Sequence, residues 1–179
     1  KYFHPYRNIL LKLFHPSELE VQQIQEKYGK ELNDSGGKNV CIHVRRGDYL
    51  KLAHVHTNLP MSYYENAIQQ LDREIGESSK NIYWIFSDDI ECCKTNFTSR
   101  RFPGKTFRFV SDVQQDYMEM YLMSLMDHFI IANSSFSWWG SYMCRNEDKK
   151  IIAPKQWFVN DEQNSGFVDI YTDEMIVLS

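Results

Sequence analysis

The sequence predicts an α/β domain, in which a parallel β-sheet is flanked by helices. Segments with apolar residues at helical spacing alternate along the chain with short apolar runs rich in β-branched and aromatic residues. Short, mostly apolar runs of this kind are typical of strands buried in a parallel sheet. The predicted strands, in chain order, are NVCIHV, NIYWIF, TFRFV, HFIIA and KKIIAP.

Two amphipathic helices are predicted from capping boxes, in which two residues three positions apart bond each other's backbone at a helix start. Ser17 and Glu20 have this spacing ahead of apolar residues at helical intervals. Ser62 and Glu65 repeat the spacing ahead of a second such run. We therefore expect one helix to begin near Ser17 and another near Ser62.

The other segments are predicted as turns, a loop and a lead-in. SGG at residues 35–37 and PG at residues 103–104 predict turns, and NDEQNSG at residues 160–166 predicts a surface loop. Residues 1–16 are expected to form a lead-in or linker, and residues 17–179 a single domain with one core. The chain begins with neither Met nor a signal-peptide pattern, so we expect it to belong to a longer polypeptide.

Composition excludes several classes of function. The 20 basic and 24 acidic side chains give a net charge of −4, which argues against a nucleic-acid-binding surface. No run of residues is long and apolar enough to span a bilayer. The four cysteines lack CxxC spacing and are expected to be reduced thiols. This favours a cytoplasmic location, with the Golgi lumen as the alternative.

Polar residues directly follow four of the predicted strands. These are HVRRGD at residues 43–48, SDD at residues 87–89, NSS at residues 133–135 and KQW at residues 155–157. Open parallel sheets bind ligands in the crevice at the carboxyl ends of their strands. We therefore expect the four segments to converge on one ligand cleft.

The residue types in these segments suit a phosphate group. Arg45 and Arg46 carry planar guanidinium groups that bind phosphate through two parallel hydrogen bonds, and Gly47 permits a sharp turn or a close ligand. The alternative is that both arginines form surface ion pairs. Ser134 or Ser135 is expected to cap a helix, and the same helix start could receive a phosphate oxygen.

Two further interpretations concern acidic residues. Asp88 and Asp89 are adjacent carboxylates at a predicted helix start. The default interpretation is that Ser87 or Asp88 is the N-cap of this helix. The functional alternative is that the carboxylates contact a ribose or substrate hydroxyl. We expect no metal there, because no further His or acid lies at ligand spacing. The tripeptide RGD also allows an adhesion module, but it directly follows a predicted buried strand rather than lying at a loop tip.

Four segments in this order resemble the motifs of the α-1,2-fucosyltransferases of glycosyltransferase family 11. They are HVRRGDY, FSDDIECCK, YMEMYLMSLMDHFIIANSSFSWWG and KKIIAPKQWF, and the resemblance covers residues 40–158. It implies a Rossmann-like parallel sheet flanked by helices, the C-terminal donor-binding domain of a GT-B-type glycosyltransferase. The glycine-rich GGLGNQ segment of the family's N-terminal half is missing, so the acceptor-side half is expected to be absent.

The resemblance implies transfer of L-fucose from GDP-fucose to a hydroxyl of an acceptor oligosaccharide, α-1,2 to galactose, with inversion and without a metal or other cofactor. The alternative is a nucleotide-sugar-binding domain that lacks full activity alone and belongs to a larger multidomain protein. The implied donor-binding residues are His43, Arg45, Arg46, Asp88, Asp89, Glu119, Ser134, Ser135 and Phe136, and the implied catalytic residues are Arg45 and Asp48.

The resemblance also implies individual roles. Arg45 would bind the β-phosphate, with Arg46 supporting the loop, and His43 would contact the guanine or ribose. Glu119 would accept hydrogen bonds from the guanine edge, at a position where related sequences often carry Asp. Asp48 would act as the base or orient Arg45, although a turn residue that bonds its own backbone is the alternative.

Overall fold

The computed structural model describes residues 3–34, 36–166 and 168–179. Its strands are β1 (Asn39–Val44), β2 (Ile82–Ser87), β3 (Thr106–Val110), β4 (His128–Ile130), β5 (Ile151–Pro154) and β6 (Met175–Leu178). Its α-helices are α1 (Arg7–Leu13), α2 (Glu18–Asp34), α3 (Met61–Ile75), α4 (Ile90–Asn96), α5 (Asp116–Ser124), α6 (Ser135–Met143) and α7 (Asp161–Gly166). Short 3₁₀ helices occupy His4–Tyr6 and Val168–Ile170.

The strands form one parallel sheet in the order β3-β2-β1-β4-β5-β6. This confirms the predicted α/β class, and the order is that of doubly wound, Rossmann-like sheets. The strand order reverses between β1 and β4, where Ile42 pairs with Ile130. The connections that leave these two strands diverge to opposite sides, which opens a crevice at their carboxyl ends.

Helices cover both faces of the sheet. Successive side chains of a strand point to opposite faces, so each strand contributes to two clusters. On one face, side chains such as Cys41, Trp84 and Phe129 pack in a cluster with residues of α2, α5 and α6. On the other, Ile42 and Ile85 pack with α3 and α4. The strands are therefore mostly apolar, as the sequence predicts, and burying each large side chain contributes about 1.5–3 kcal/mol.

The two predicted capping boxes have different outcomes. The first is confirmed, since the backbone N–H and hydroxyl of Ser17 both donate to the Glu20 carboxylate, at 2.8 and 2.7 Å. The second is wrong. Helix α3 has Pro60, in an extended conformation, as its N-cap, which places Ser62 inside the first turn, where its side chain does not cap the helix.

One other prediction is corrected by the structure, which also shows an additional strand and a helix within the lead-in. Residues 160–166 were expected to form a loop, but α7 lies there, and the Asn160 side chain accepts a hydrogen bond from the Glu162 N–H at its start. Strand β6 follows that segment and was not predicted. Within the lead-in, α1 is helical and Arg7 donates to the carbonyls of Tyr142 and Cys144 at 3.1 and 2.7 Å.

The predicted turns lie between regular elements. Gly104, in PG, has a φ of 76°, which glycine adopts without strain. Ser35, in SGG, lies outside the described residues. None of the helices in the described ranges is long and apolar enough to cross a membrane.

Candidate functional site

A cleft of approximately 470 Å³ lies at the carboxyl ends of β1, β2 and β4, between the first turns of α5 and α6. It is lined by His43, Arg45, Asp48, Tyr49, Ser87, Asp88, Asp116, Glu119, Ser134, Ser135 and Phe136. Three of the four polar segments predicted to converge do so here. Arg46, Asp89 and the KQW segment at residues 155–157 do not line the cleft.

A larger groove of approximately 720 Å³ lies elsewhere, between α3 and the loop before β3. Its charged side chains neutralise one another, since the Lys105 ammonium lies 2.6 Å from Asp72 and 2.8 Å from Glu77. A ligand would have to break this network, which already satisfies the charges. We therefore place the candidate site in the smaller cleft, at the reversal of strand order.

The loop after β1 turns through a corner that Asp88 holds. Asp88 Oδ1 accepts the Arg46 backbone N–H at 2.9 Å, and its Oδ2 lies 3.3 Å from Arg45 Nε. A Cβ atom on Gly47 would lie 3.0 Å from Asp88 Oδ2. Glycine therefore gives the carboxylate from the neighbouring strand room at this corner, where a Cβ atom would make a tight contact with it.

Arg45 is the cation of the cleft, and carboxylates already orient it. Its Nη2 donates to Asp48 Oδ2 at 2.7 Å, and its guanidinium carbon lies 5.7 Å from the centre of the Tyr49 ring. The hydrogen bond from Arg45 lowers the pKa of Asp48 below its ordinary value. A carboxylate with a lowered pKa is a weak base, so this contact argues against the role of base for Asp48.

Arg46 points away from the cleft, toward α4. Its Nε lies 3.2 Å from Asp89 Oδ2, and Asp89 accepts the Cys92 N–H at 3.2 Å as the N-cap of α4. The expectation that Ser87 or Asp88 caps this helix is wrong, because the Asp88 carboxylate is used by the corner of the β1 loop. The surface-pair interpretation, left open for both arginines, thus describes Arg46 better than Arg45.

The segment after β4 forms the opposite wall. Ser134 is the N-cap of α6 and accepts the Phe136 N–H at 3.3 Å, while Ser135, the first helical residue, is exposed. The side chain of Asn133 is buried and donates to the carbonyls of Thr57 and Trp157 at 2.9 and 2.8 Å. The free N–H groups at the start of α6 can therefore receive an anion opposite Arg45.

Tyr49 joins the two walls and was missed as a site residue. Its hydroxyl donates to the Asn133 carbonyl at 2.9 Å, and its ring stacks on His56 with centroids 4.2 Å apart. The sequence contains Tyr49 directly after RGD, but only the tertiary structure places β4 within reach of it. Asp116, in the first turn of α5, was missed for the same reason.

The buried end of the cleft has little net charge. His43 is 2% exposed, and burial, followed by the Arg45 charge, lowers its pKa to about 4. Its Nδ1 has no hydrogen-bond partner among the described residues, and its ring lies 5.7 Å from that of Phe136. Burial, followed by the charges of Asp116 and Asp88, raises the pKa of Glu119 to about 7.

The cysteines and Trp138 lie outside the cleft. All four cysteines are free thiols, as expected. Trp138 is buried and donates to the Ile170 carbonyl at 2.7 Å, so it packs in the core. Within the described ranges, His, Cys, Asp and Glu side chains form no group of three or more that could hold a metal ion.

The whole described chain also matches known sequences. Residues 1–178 match the family model described as Glycosyl transferase family 11. The chain belongs to glycosyl transferase family 11. The Rossmann-like sheet of this family 11 chain is consistent with the GT-B assignment, and three of the four segments on which the resemblance rests contribute residues to its cleft.

Two relatives of this family 11 chain come from Escherichia coli. It is 31% identical over 169 residues to the O-antigen biosynthesis glycosyltransferase WbnK, covering 92% of this chain and 54% of the relative. It is 33% identical over 171 residues to an alpha-1,2-colitosyltransferase, covering 92% of this chain and 55% of the relative. The chain thus spans about half the length of these curated relatives.

Proposed function

We propose that the chain is the donor-binding part of an inverting fucosyltransferase. It would transfer L-fucose from GDP-fucose to a hydroxyl of an acceptor oligosaccharide, forming an α-1,2 linkage to galactose. The observation that carries this proposal is the convergence of Arg45, the start of α6 and Glu119 on one cleft at the reversal of strand order. Dinucleotides and nucleotides bind other doubly wound sheets at this position.

The two walls of the cleft suit a diphosphate. Arg45 would bind the β-phosphate through two donors of its guanidinium group, and the Ser135 hydroxyl and the N–H groups of α6 would bind the remaining phosphate oxygens. Ser134 keeps the start of α6 in place as its N-cap. Arg46 and Asp89 would support the loop from outside the cleft, through the ion pair between them.

The buried end suits the nucleoside. A neutral His43 and the Phe136 ring offer a polar edge and an apolar surface, which fit a ribose or a base. Guanine presents two adjacent N–H donors, and an ionised Glu119 carboxylate can accept from both of them. Glu119 has the same acceptor group as Asp on a longer side chain, so it would reach further from α5 toward the base.

The proposed reaction is a single displacement. The acceptor oxygen attacks the anomeric carbon of fucose on the face opposite GDP, the bond to the β-phosphate oxygen breaks, and the hydroxyl proton passes to a general base. Arg45 and the helix N–H groups offset the negative charge that grows on the leaving phosphate. Because these groups supply the positive charge, the proposed reaction needs no metal ion.

One observation favours a second candidate. The chain spans about half the length of its relatives. A domain of this extent could bind the nucleotide sugar without full transferase activity on its own, as one part of a larger multidomain protein. Donor binding is common to both candidates, whereas transfer to an acceptor is specific to the first.

Calorimetric titration tests donor binding. We expect GDP-fucose to bind, with an affinity that magnesium does not change, and GDP-mannose and UDP-galactose to bind more weakly. A transfer assay with a galactoside acceptor then separates the two candidates. Failure of all three nucleotide sugars to bind would refute the proposal, and binding without transfer would favour the second candidate.

A further inference from the structure

Two carboxylates share the Arg45 guanidinium group. Asp48 Oδ2 accepts its Nη2 at 2.7 Å, and Asp88 Oδ2 lies 3.3 Å from its Nε. The N–H donors of a guanidinium group are fixed in one plane, so a phosphate must share Arg45 with these partners or replace one of them. The surroundings of the two carboxylates decide which one can leave.

Asp88 is held in place by more than Arg45. Its Oδ1 accepts the Arg46 backbone N–H at 2.9 Å, and its side chain is 24% exposed. A Cβ atom on Gly47 would lie 3.0 Å from its Oδ2 and 3.2 Å from its Cγ, so the corner packs against the carboxylate. Movement of Asp88 would break a backbone hydrogen bond and open the loop that carries Arg45.

Asp48 is held less firmly. Its side chain is 50% exposed, and its contacts besides Arg45 are local, to the backbone N–H groups of Asp48 and Tyr49. Ion pairs this exposed are weak, because water solvates the carboxylate well once its partner leaves. Asp48 can therefore release Arg45 without disturbing the corner that Asp88 maintains.

We propose that Asp88 is a positioning residue for Arg45, whereas Asp48 is a displaceable counter-ion that the diphosphate of the donor replaces. The assignment rests on the proposed function, because it requires an anionic donor at Arg45. Before the donor binds, Asp48 pairs with the Nη2 donor of Arg45. On binding, the phosphate takes the Nη2 donor, and Asp88 keeps Nε fixed.

The two carboxylates then have opposite effects on binding. Asp48→Asn removes a competing anion, so the affinity for GDP should rise by about two- to fivefold. Asp88→Asn keeps an acceptor for the Arg46 N–H but turns an NH₂ donor toward Arg45 Nε–H. The two donors repel each other and misdirect the guanidinium group, so the affinity for GDP should fall by about tenfold.

The test is calorimetric titration of the full chain and its variants with GDP, and with guanosine as a probe that lacks phosphate. Asp148→Asn is the matched control, because it removes the same charge from an exposed residue. Asp148 precedes β5 and so lies toward the amino ends of the strands, whereas the cleft lies at their carboxyl ends. Gly47→Ala supplies a second variant, whose Cβ should push Asp88 aside and weaken GDP binding as Asp88→Asn does. Thermal unfolding checks that each variant is folded.

The expected result is tighter GDP binding by Asp48→Asn, weaker binding by the Asp88 and Gly47 variants, and unchanged guanosine binding by all of them. Weaker GDP binding by Asp48→Asn would overturn the assignment, since Asp48 would then also position Arg45. Tighter GDP binding by Asp88→Asn would overturn it as well, since both carboxylates would then act only as competing charges. Failure of the unaltered chain to bind either probe would instead refute the proposed function on which the assignment rests.

Discussion

Replacement of Arg45 with Lys tests the proposed phosphate contact, because it keeps the charge and removes the planar fork. The guanidinium group lies 2.7 Å from Asp48 and 3.3 Å from Asp88. A lysine ammonium group is a compact point charge and cannot hold Asp88 and two phosphate oxygens in one plane. We expect Arg45→Lys to retain the fold and to lose one hydrogen bond to the leaving phosphate.

The size of the loss follows from the strength of that bond. A hydrogen bond to a charged group contributes about 1.5–3 kcal/mol. Each 1.36 kcal/mol of transition-state stabilisation corresponds to about a tenfold change in rate. The expected decrease in kcat/KM is therefore about 10- to 200-fold.

The assay measures kcat/KM for GDP-fucose with a galactoside acceptor, together with the Kd for GDP by calorimetry, which does not depend on transfer. Arg100→Lys is the matched control, because Arg100 is exposed and lies outside the cleft. Thermal unfolding checks the fold of both variants. A kcat/KM and a Kd for Arg45→Lys within twofold of the unaltered chain would refute the phosphate role of Arg45.

Three further predictions follow from the contacts of the cleft. Because burial raises the pKa of Glu119 from 4.5 to about 7 by disfavouring its charged form, the folded state bears no such cost below pH 4.5, and up to about 3 kcal/mol of stability is lost as the pH rises to 7. Urea unfolding at several pH values should show that Glu119→Gln lacks this loss, and an equal slope in the variant would contradict it. Ser134→Ala should lose about 1 kcal/mol of cap stability and lower Tm by about 2–4 °C. Ser135→Ala should leave Tm unchanged and weaken GDP binding. If calorimetry shows a lower Tm for Ser135→Ala and weaker GDP binding for Ser134→Ala, then Ser135 is the cap and Ser134 the phosphate contact. Tyr49→Phe should weaken GDP binding a few-fold by releasing the Asn133 carbonyl, and unchanged affinity would mean that this link between the walls is not needed for binding.

The features predicted well from the sequence depend on near neighbours in the chain. The five predicted strands are found because each is a short, mostly apolar run, and residues of all five pack in the clusters on the two faces of the sheet. The Ser17 capping box is found because both its partners lie within one helical turn. The rule that strand ends converge correctly brought Arg45 and Ser135 to one cleft.

The failures involve competition between partners that are distant in the chain. Ser62 has capping-box spacing, but Pro60 sets the start of α3. The sequence favours Ser87 or Asp88 as the cap of α4, but Asp89 caps it, because the loop after β1 engages Asp88. Strand β6 is short and follows a segment expected to be loop. It forms a strand because it pairs with β5, a neighbour that the local sequence does not reveal.

By itself, the sequence determined the α/β class, the parallel sheet, the buried strands and the residue types of an anion site, because these depend on local pattern and side-chain chemistry. Only the tertiary structure decided which of two adjacent arginines faces the cleft and which of two adjacent aspartates holds the corner. It also brought Tyr49 and Asp116 to the site. The physical reason is that a guanidinium group and a carboxylate each have few bonding positions, and distant elements compete for them only once the sheet has formed.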